Sequence, residues 1–496
     1  SISALATDST IALSTAQIQA LTTQQVVALT SAQVANLNTD QVVALSTTQV
    51  SVLNTAHSAA LGSDQVAAIE TLDIRAIGSL ALRAMSTANV AALTTDQVRA
   101  LSTNQVLALT TGQVAALGSD QIAALATHQA QVLTAGQLLA INTAQLQALS
   151  TADLAVMTTA QLRILTSDQV GSFTTDQVMA LTTAQAANLT AAQVAALNTA
   201  QVFAMETADL RAMSIIALRA MVSADVAVLG SDQIRALSSA QVAALTTAQM
   251  QALTSDQIAV LKTDQAVALS TGQLNVLSSE QIQALSTAAW AALSTGVVRA
   301  LLSAEIGALT SDQIVALTTA QSAALTSLQA SALTSGQVLA FETADLRNLT
   351  NTAITALGSA NVLALSTDHI AALTSGQTVA LSTAQISALS TDQIVALTSA
   401  NAAALTANQA AALSSDQALA LETRDVRVMG TAALRAINSD AIANMSSEQI
   451  AALTSMQVAA MTSAQMGAMR TEQIAALNSA DALAMTSAQL LALDSA

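Results

Sequence analysis

The chain has 496 residues, 52% of them hydrophobic and 1% aromatic, with a formal net charge of −17 and no Cys, Pro or Tyr. The absence of Cys excludes disulfides, thiolate catalysis and thiolate metal sites. The acidic balance argues against nucleic acid and anionic membranes, which both call for a basic face, and no run reaches the ~18 apolar residues of a membrane span.

Read from Leu5 in steps of eight, the chain is one unit repeated. For Leu37-Asn38-Thr39-Asp40-Gln41-Val42-Val43-Ala44 the positions are named a to h. All 62 a positions between Leu5 and Leu493 hold Leu, Ile, Met or Phe, and no insertion breaks the frame. Position b is mostly Thr, Ser, Asn or Gly, the residues favoured at a helix N-cap. With Gln at e, b to e reads as a capping box, and a with f (Leu37 and Val42) as the hydrophobic staple. The charges agree. Of 31 acids, 5 lie at b, 18 at d and 8 at e, whereas 11 of the 14 bases are Arg at g. Acids in a first turn and Arg in a last turn suit a helix dipole. Each octad is therefore expected to be its own short helix.

The fold class that follows is all-α, a solenoid of either hand with about 62 very short capped helices. Positions a, f and h are expected inward, and d, e and g mostly outward. A single long helix would turn its apolar positions by about 80° per octad and keep no fixed face. A β-solenoid is the alternative, but Ala, Gln, Leu and Met favour helix. A helix of this size cannot stand alone, because the backbone entropy of ordering it exceeds what one buried Leu and Val return. Stacked neighbours must supply the rest.

Residues 1–68 are nearly pure octads. A variant block starts near Ile69 with Glu70, Asp73 and Arg75, followed by Arg83 and Met85. It returns near Met205 with Glu206, Asp209 and Arg211, and near Phe341 with Glu342, Asp345 and Arg347. The spacing is 136 residues, or 17 octads, and a related block carries Glu422, Arg424, Asp425 and Arg427. The chain is thus one continuous array, 1–496, grown by copying a 17-octad cassette. Seven, ten and seventeen octads all come near whole turns if a turn holds about 3.4 of them. The sequence starts at e and stops at d, and is expected to be an excerpt of a longer array.

The Glu-x-x-Asp-x-Arg clusters are the candidate sites: Glu70, Asp73, Arg75; Glu206, Asp209, Arg211; Glu342, Asp345, Arg347; Glu422, Asp425, Arg427. They would serve as lateral contacts between arrays, set against simple dipole compensation by solvated charges worth ~0–1 kcal/mol. Calcium bridging is left open, although no dedicated calcium loop is present. His57, His128 and His369 lack a second ligand at helical spacing and do not read as zinc ligands. No catalytic residue, cofactor-binding residue or metal ligand is singled out, so no cofactor and no enzymatic activity are expected. Trp290, Phe173, Phe341, Met205, Met213 and Met221 read as core packing, and Phe203 as an exposed contact.

Leu37 to Ala44 resembles the opening helix of TAL-effector repeats, read here as convergence on one capping box, without the base-reading loop or second helix. The Cys-free, acidic, Ala/Thr/Gln-rich octads as a whole resemble the repeat regions of very large secreted or surface bacterial proteins. That resemblance implies a structural protein: an extracellular or cell-surface fibre, stalk or surface-layer element that self-associates end to end or laterally. The alternative function is a binding module that presents rows of Thr and Ser to ice or a polysaccharide.

Overall fold

The computed structural model describes residues 6–493. Among them the chain forms 61 α-helices of four to seven residues and no strand, one helix in each complete octad from Leu5 to Ala492. The expected solenoid of short capped helices is what forms.

Each helix begins as the side chains direct. In the helix Thr47–Ser51, the Ser46 N–H donates to Gln49 Oε1 at 2.8 Å and the Gln49 N–H donates to Ser46 Oγ at 3.4 Å. The two residues satisfy each other's backbone donors, as a capping box should. After about one turn the a residue is extended, as Leu61 shows with φ −60° and ψ 143° after the helix Thr55–Ala60. The following b residue, Gly62, is extended too, with φ −89° and ψ 166°. Two extended residues then suffice to start the next helix, and no described residue has positive φ. No left-handed C-cap is required, so the octad repeats with only 15 glycines and no proline in 496 residues.

By its contacts the chain divides into Ser1–Leu253 and Thr254–Ala496. The same register operates inside each. A helix packs on the helix three octads away: Thr55–Ala60 on Ser79–Ala84 in the first unit, Ser327–Ser331 on Asn351–Ala356 in the second. Side-chain hydrogen bonds meanwhile reach back 28, 30 and 31 residues, as Gln97 does to Ile69, Ala67 and Val66. One turn therefore lies between three and four octads, which brackets the ~3.4 expected from the repeat lengths.

Positions a and f form the core, for example Leu93 with Val98 and Leu365 with Ile370. Two expectations fail. Position e is buried along both units, as Gln41, Gln97, Gln313 and Gln393 show, where it was expected to face outward. Position h, expected inward, is only half-buried, as at Ala44 and Ala100. The reason for both is the second task of the e side chain.

Candidate interaction surfaces

The e amide has two ends, and each meets a different helix terminus. In Gln97, Oε1 accepts from the Thr94 N–H at 2.7 Å, while Nε2 donates to the carbonyls of Val66 (2.9 Å), Ala67 (3.2 Å) and Ile69 (2.6 Å). A helix of one turn leaves nearly all its N–H groups unpaired at one end and its carbonyls at the other. Where e is a buried glutamine, that one side chain closes an N-terminus in its own helix and a C-terminus one turn away. This ladder, and not the apolar seam alone, sets the register between turns. Position h loses its place in the core because the amides occupy that side of each helix.

Substitutions at e show what the position demands. His57 and His369 copy the amide with a ring. Nδ1 of His369 faces the Ser366 N–H at 3.2 Å, and Nε2 faces the Phe341 carbonyl at 2.7 Å. The pair of contacts assigns the proton to Nε2, the neutral donor–acceptor form. Asn89 is shorter, and its Nδ2 reaches the Leu61 carbonyl at 2.6 Å. An Asp or Glu offers acceptors where carbonyls already point. Accordingly Asp209 Oδ2, Asp425 Oδ2 and Glu305 Oε2 are buried without a hydrogen-bond partner. Burial raises the pKa of Asp209, Asp225, Asp345 and Asp425 above the ordinary carboxylate value. A hydroxyl 26 residues earlier offsets this in part at Asp209, Asp345 and Asp425, as Ser399 Oγ does by donating to Asp425 Oδ1 at 2.6 Å, while at Asp225 the Val222 N–H does so.

The Glu-x-x-Asp-x-Arg clusters are thus pulled apart by depth. Glu70, Glu206, Glu342 and Glu422 stand at helix N-caps without a side-chain cap bond. Asp73, Asp209, Asp345 and Asp425 are buried at e, while Arg75, Arg211, Arg347 and Arg427 are exposed at g. Among the described residues no ion pair joins the members of these four clusters; in the fourth, it is Arg424 that pairs with Glu422 and stands 3.7 Å from Asp425.

Trp290, Phe173, Phe341, Met205, Met213 and Met221 are buried as expected, and Phe203 is exposed. His128 is exposed at d. Among the described residues no three His, Asp or Glu side chains converge on a point, and no helix is long and apolar enough to cross a membrane. Sequence reasoning missed the inward amide of e, although the preference for Gln at e, where Glu would cap as well, was a usable signal.

No curated protein matches the chain. A model of the ALTTAQ repeat matches it thirteen times, from residues 2–39 through 138–175, 233–263 and 338–375 to 418–455, and these matches together cover well over half of its length. The matched segments follow the helical octads described above, and the chain belongs to the ALTTAQ-repeat family.

Proposed function

We propose that this repeat protein has a structural role, as part of an extracellular or cell-surface fibre, stalk or layer, and that it is not an enzyme. The carrying observation is the ladder. Beyond the first turn, Gln at e repeatedly reaches the carbonyl 28 residues earlier, as Gln41, Gln97, Gln313 and Gln489 do, so an array of any length is built from one local rule. Such a design favours length and regularity over a unique cleft. The net charge of −17 keeps a long array soluble. No cofactor is needed for this role, and the partner is another array of the same kind.

The Thr and Ser rows bear on the binding alternative. Half of those hydroxyls, at b, are engaged in caps, as Thr94 Oγ1 accepts from the Gln97 N–H at 3.2 Å. The c row is engaged in places too, as Ser399 Oγ donates to Asp425 Oδ1 and Ser375 Oγ to the Ala400 carbonyl, so neither row forms a continuous lattice of free hydroxyls. Immunogold labelling of the producing cells tests the proposal. Label on surface fibres or a surface layer supports it; label confined to the cell interior overturns it.

A further inference from the structure

The exposed faces carry a second order that the octad alone does not explain. In Thr254–Ala496, large apolar residues stand at g in five successive turns: Val315, Leu339, Leu363, Val395 and Leu419, with exposures from 43 to 52%. Their helices are neighbours. Ser311–Val315 packs on Ser335–Ala340, that on Ser359–Leu363, and Thr391–Val395 on Ser415–Ala420. The remaining step is closed by Gln393, whose Nε2 donates to the Leu363 carbonyl at 3.2 Å. At the 8–10 Å spacing of packed helices, the four steps make the seam roughly 32–40 Å long. Asp312, Asp392 and Asp416 stand exposed three residues before Val315, Val395 and Leu419 on the same helices. The seam is thus apolar along its line and acidic along its edge.

The complementary pattern lies in Ser1–Leu253. Arg83, Arg163 and Arg219 are exposed at g, 80 and 56 residues apart, so ten and seven octads. These separations are whole turns, three and two, and they place the three arginines in one row. Leu80 and Ile216, each 74% exposed, sit at d beside Arg83 and Arg219. On the acidic seam, Asp312, Asp392 and Glu448 are also 80 and 56 residues apart and exposed. Two parallel arrays laid side by side therefore bring three carboxylates against three guanidinium groups in register, with apolar residues beside them.

We infer that the acid-edged seam Val315–Leu419 of one chain docks on the row Arg83, Arg163 and Arg219 of a second copy. Pairing of the seam with itself would set acid against acid. The interface uses two different patches, so it is heterologous and does not close on a pair. Each chain offers one seam and one row, so each docked copy leaves a further seam or row for the next. The inference rests on the structural role proposed above and names how its arrays join.

The test uses the full chain, with reversed charges at exposed positions. One variant carries Asp312→Lys, Asp392→Lys and Glu448→Lys; the other carries Arg83→Glu, Arg163→Glu and Arg219→Glu. Sedimentation velocity over a concentration series reads association, and circular dichroism confirms that both variants stay helical. Wild type is expected to associate, and each variant alone to associate at least about tenfold more weakly, as charge pairs at an interface edge and their repulsive replacements allow. An equimolar mixture of the two is expected to recover the wild-type association, because the reversed seam then meets the reversed row. Leu339→Ser with Leu363→Ser should weaken association without changing the charge pattern. Wild type that stays monomeric, a seam reversal that leaves association intact or strengthens it, or a mixture that fails to recover would each overturn the inference. None of these outcomes bears on where the immunogold label falls, so the two readings fail separately.

Discussion

Replacing Gln97 isolates the ladder, because the side chain is 1% exposed and serves two helices. Gln97→Met keeps the shape and removes every polar contact. Oε1 loses its bond from the Thr94 N–H; the two Nε2 hydrogens lose the three carbonyls they share between them. Three hydrogen bonds at ~1 kcal/mol each give a loss of about 3 kcal/mol. Gln97→Glu is the sharper variant. It keeps the acceptor for the Thr94 N–H but turns a second oxygen toward the carbonyls of Val66 and Ile69. At neutral pH it loses both donor bonds and buries a charge, so it should be at least as destabilising as Met. Protonation restores one donor. The folded-state pKa of this new carboxyl should therefore be raised above its unfolded value near 4.3, and the lost stability should return as pH falls below the raised value. In a repeat array the damage is local. Hydrogen exchange of amides in residues 62–105, with the urea midpoint, reads it at pH 7.5 and pH 4.5. A Glu variant as stable as wild type at pH 7.5, or a Met variant within about 0.5 kcal/mol of it, would refute the two-ended role of the amide.

Three further outcomes follow from the same geometry. Asp209, Asp225, Asp345 and Asp425 have raised pKa values through burial, so their share of stability is full below the ordinary Asp range and fades as pH rises through the raised values. Replacing all four with Asn, which already serves at Asn89, should raise the urea midpoint at pH 7 and flatten its dependence on pH above the ordinary Asp range. Gly171→Ala should cost about 1–3 kcal/mol in a thermal melt, since an added Cβ would lie 2.7 Å from the Ala196 carbonyl oxygen. His369→Gln should hold or raise the melting temperature by supplying the usual amide, whereas His369→Leu should lose about 2 kcal/mol along with the bonds to the Ser366 N–H and the Phe341 carbonyl.

The local half of this architecture was legible from the residues alone. A cap at Ser46 and its partner Gln49 are three residues apart, and the staple of Leu37 and Val42 spans five, so period, helix starts, polarity and fold class all follow from short-range chemistry. The clusters around Glu70, Glu206, Glu342 and Glu422 were found as sequence oddities, yet their depth was not. A charge pattern does not say that Asp209 points inward while Arg211 points out. The repeat lengths pointed to about 3.4 octads per turn, but which residues face one another across turns was out of reach. Three octads or four are equally natural continuations of one helical turn and two extended residues, and the choice depends on small rotations that accumulate over about 27 residues. What decides it is the glutamine amide, which finds its carbonyls 28 to 31 residues away. Only the tertiary structure brings those carbonyls within reach, and with them come the buried e position, the half-exposed h, and the stacking of Val315 to Leu419 into one seam.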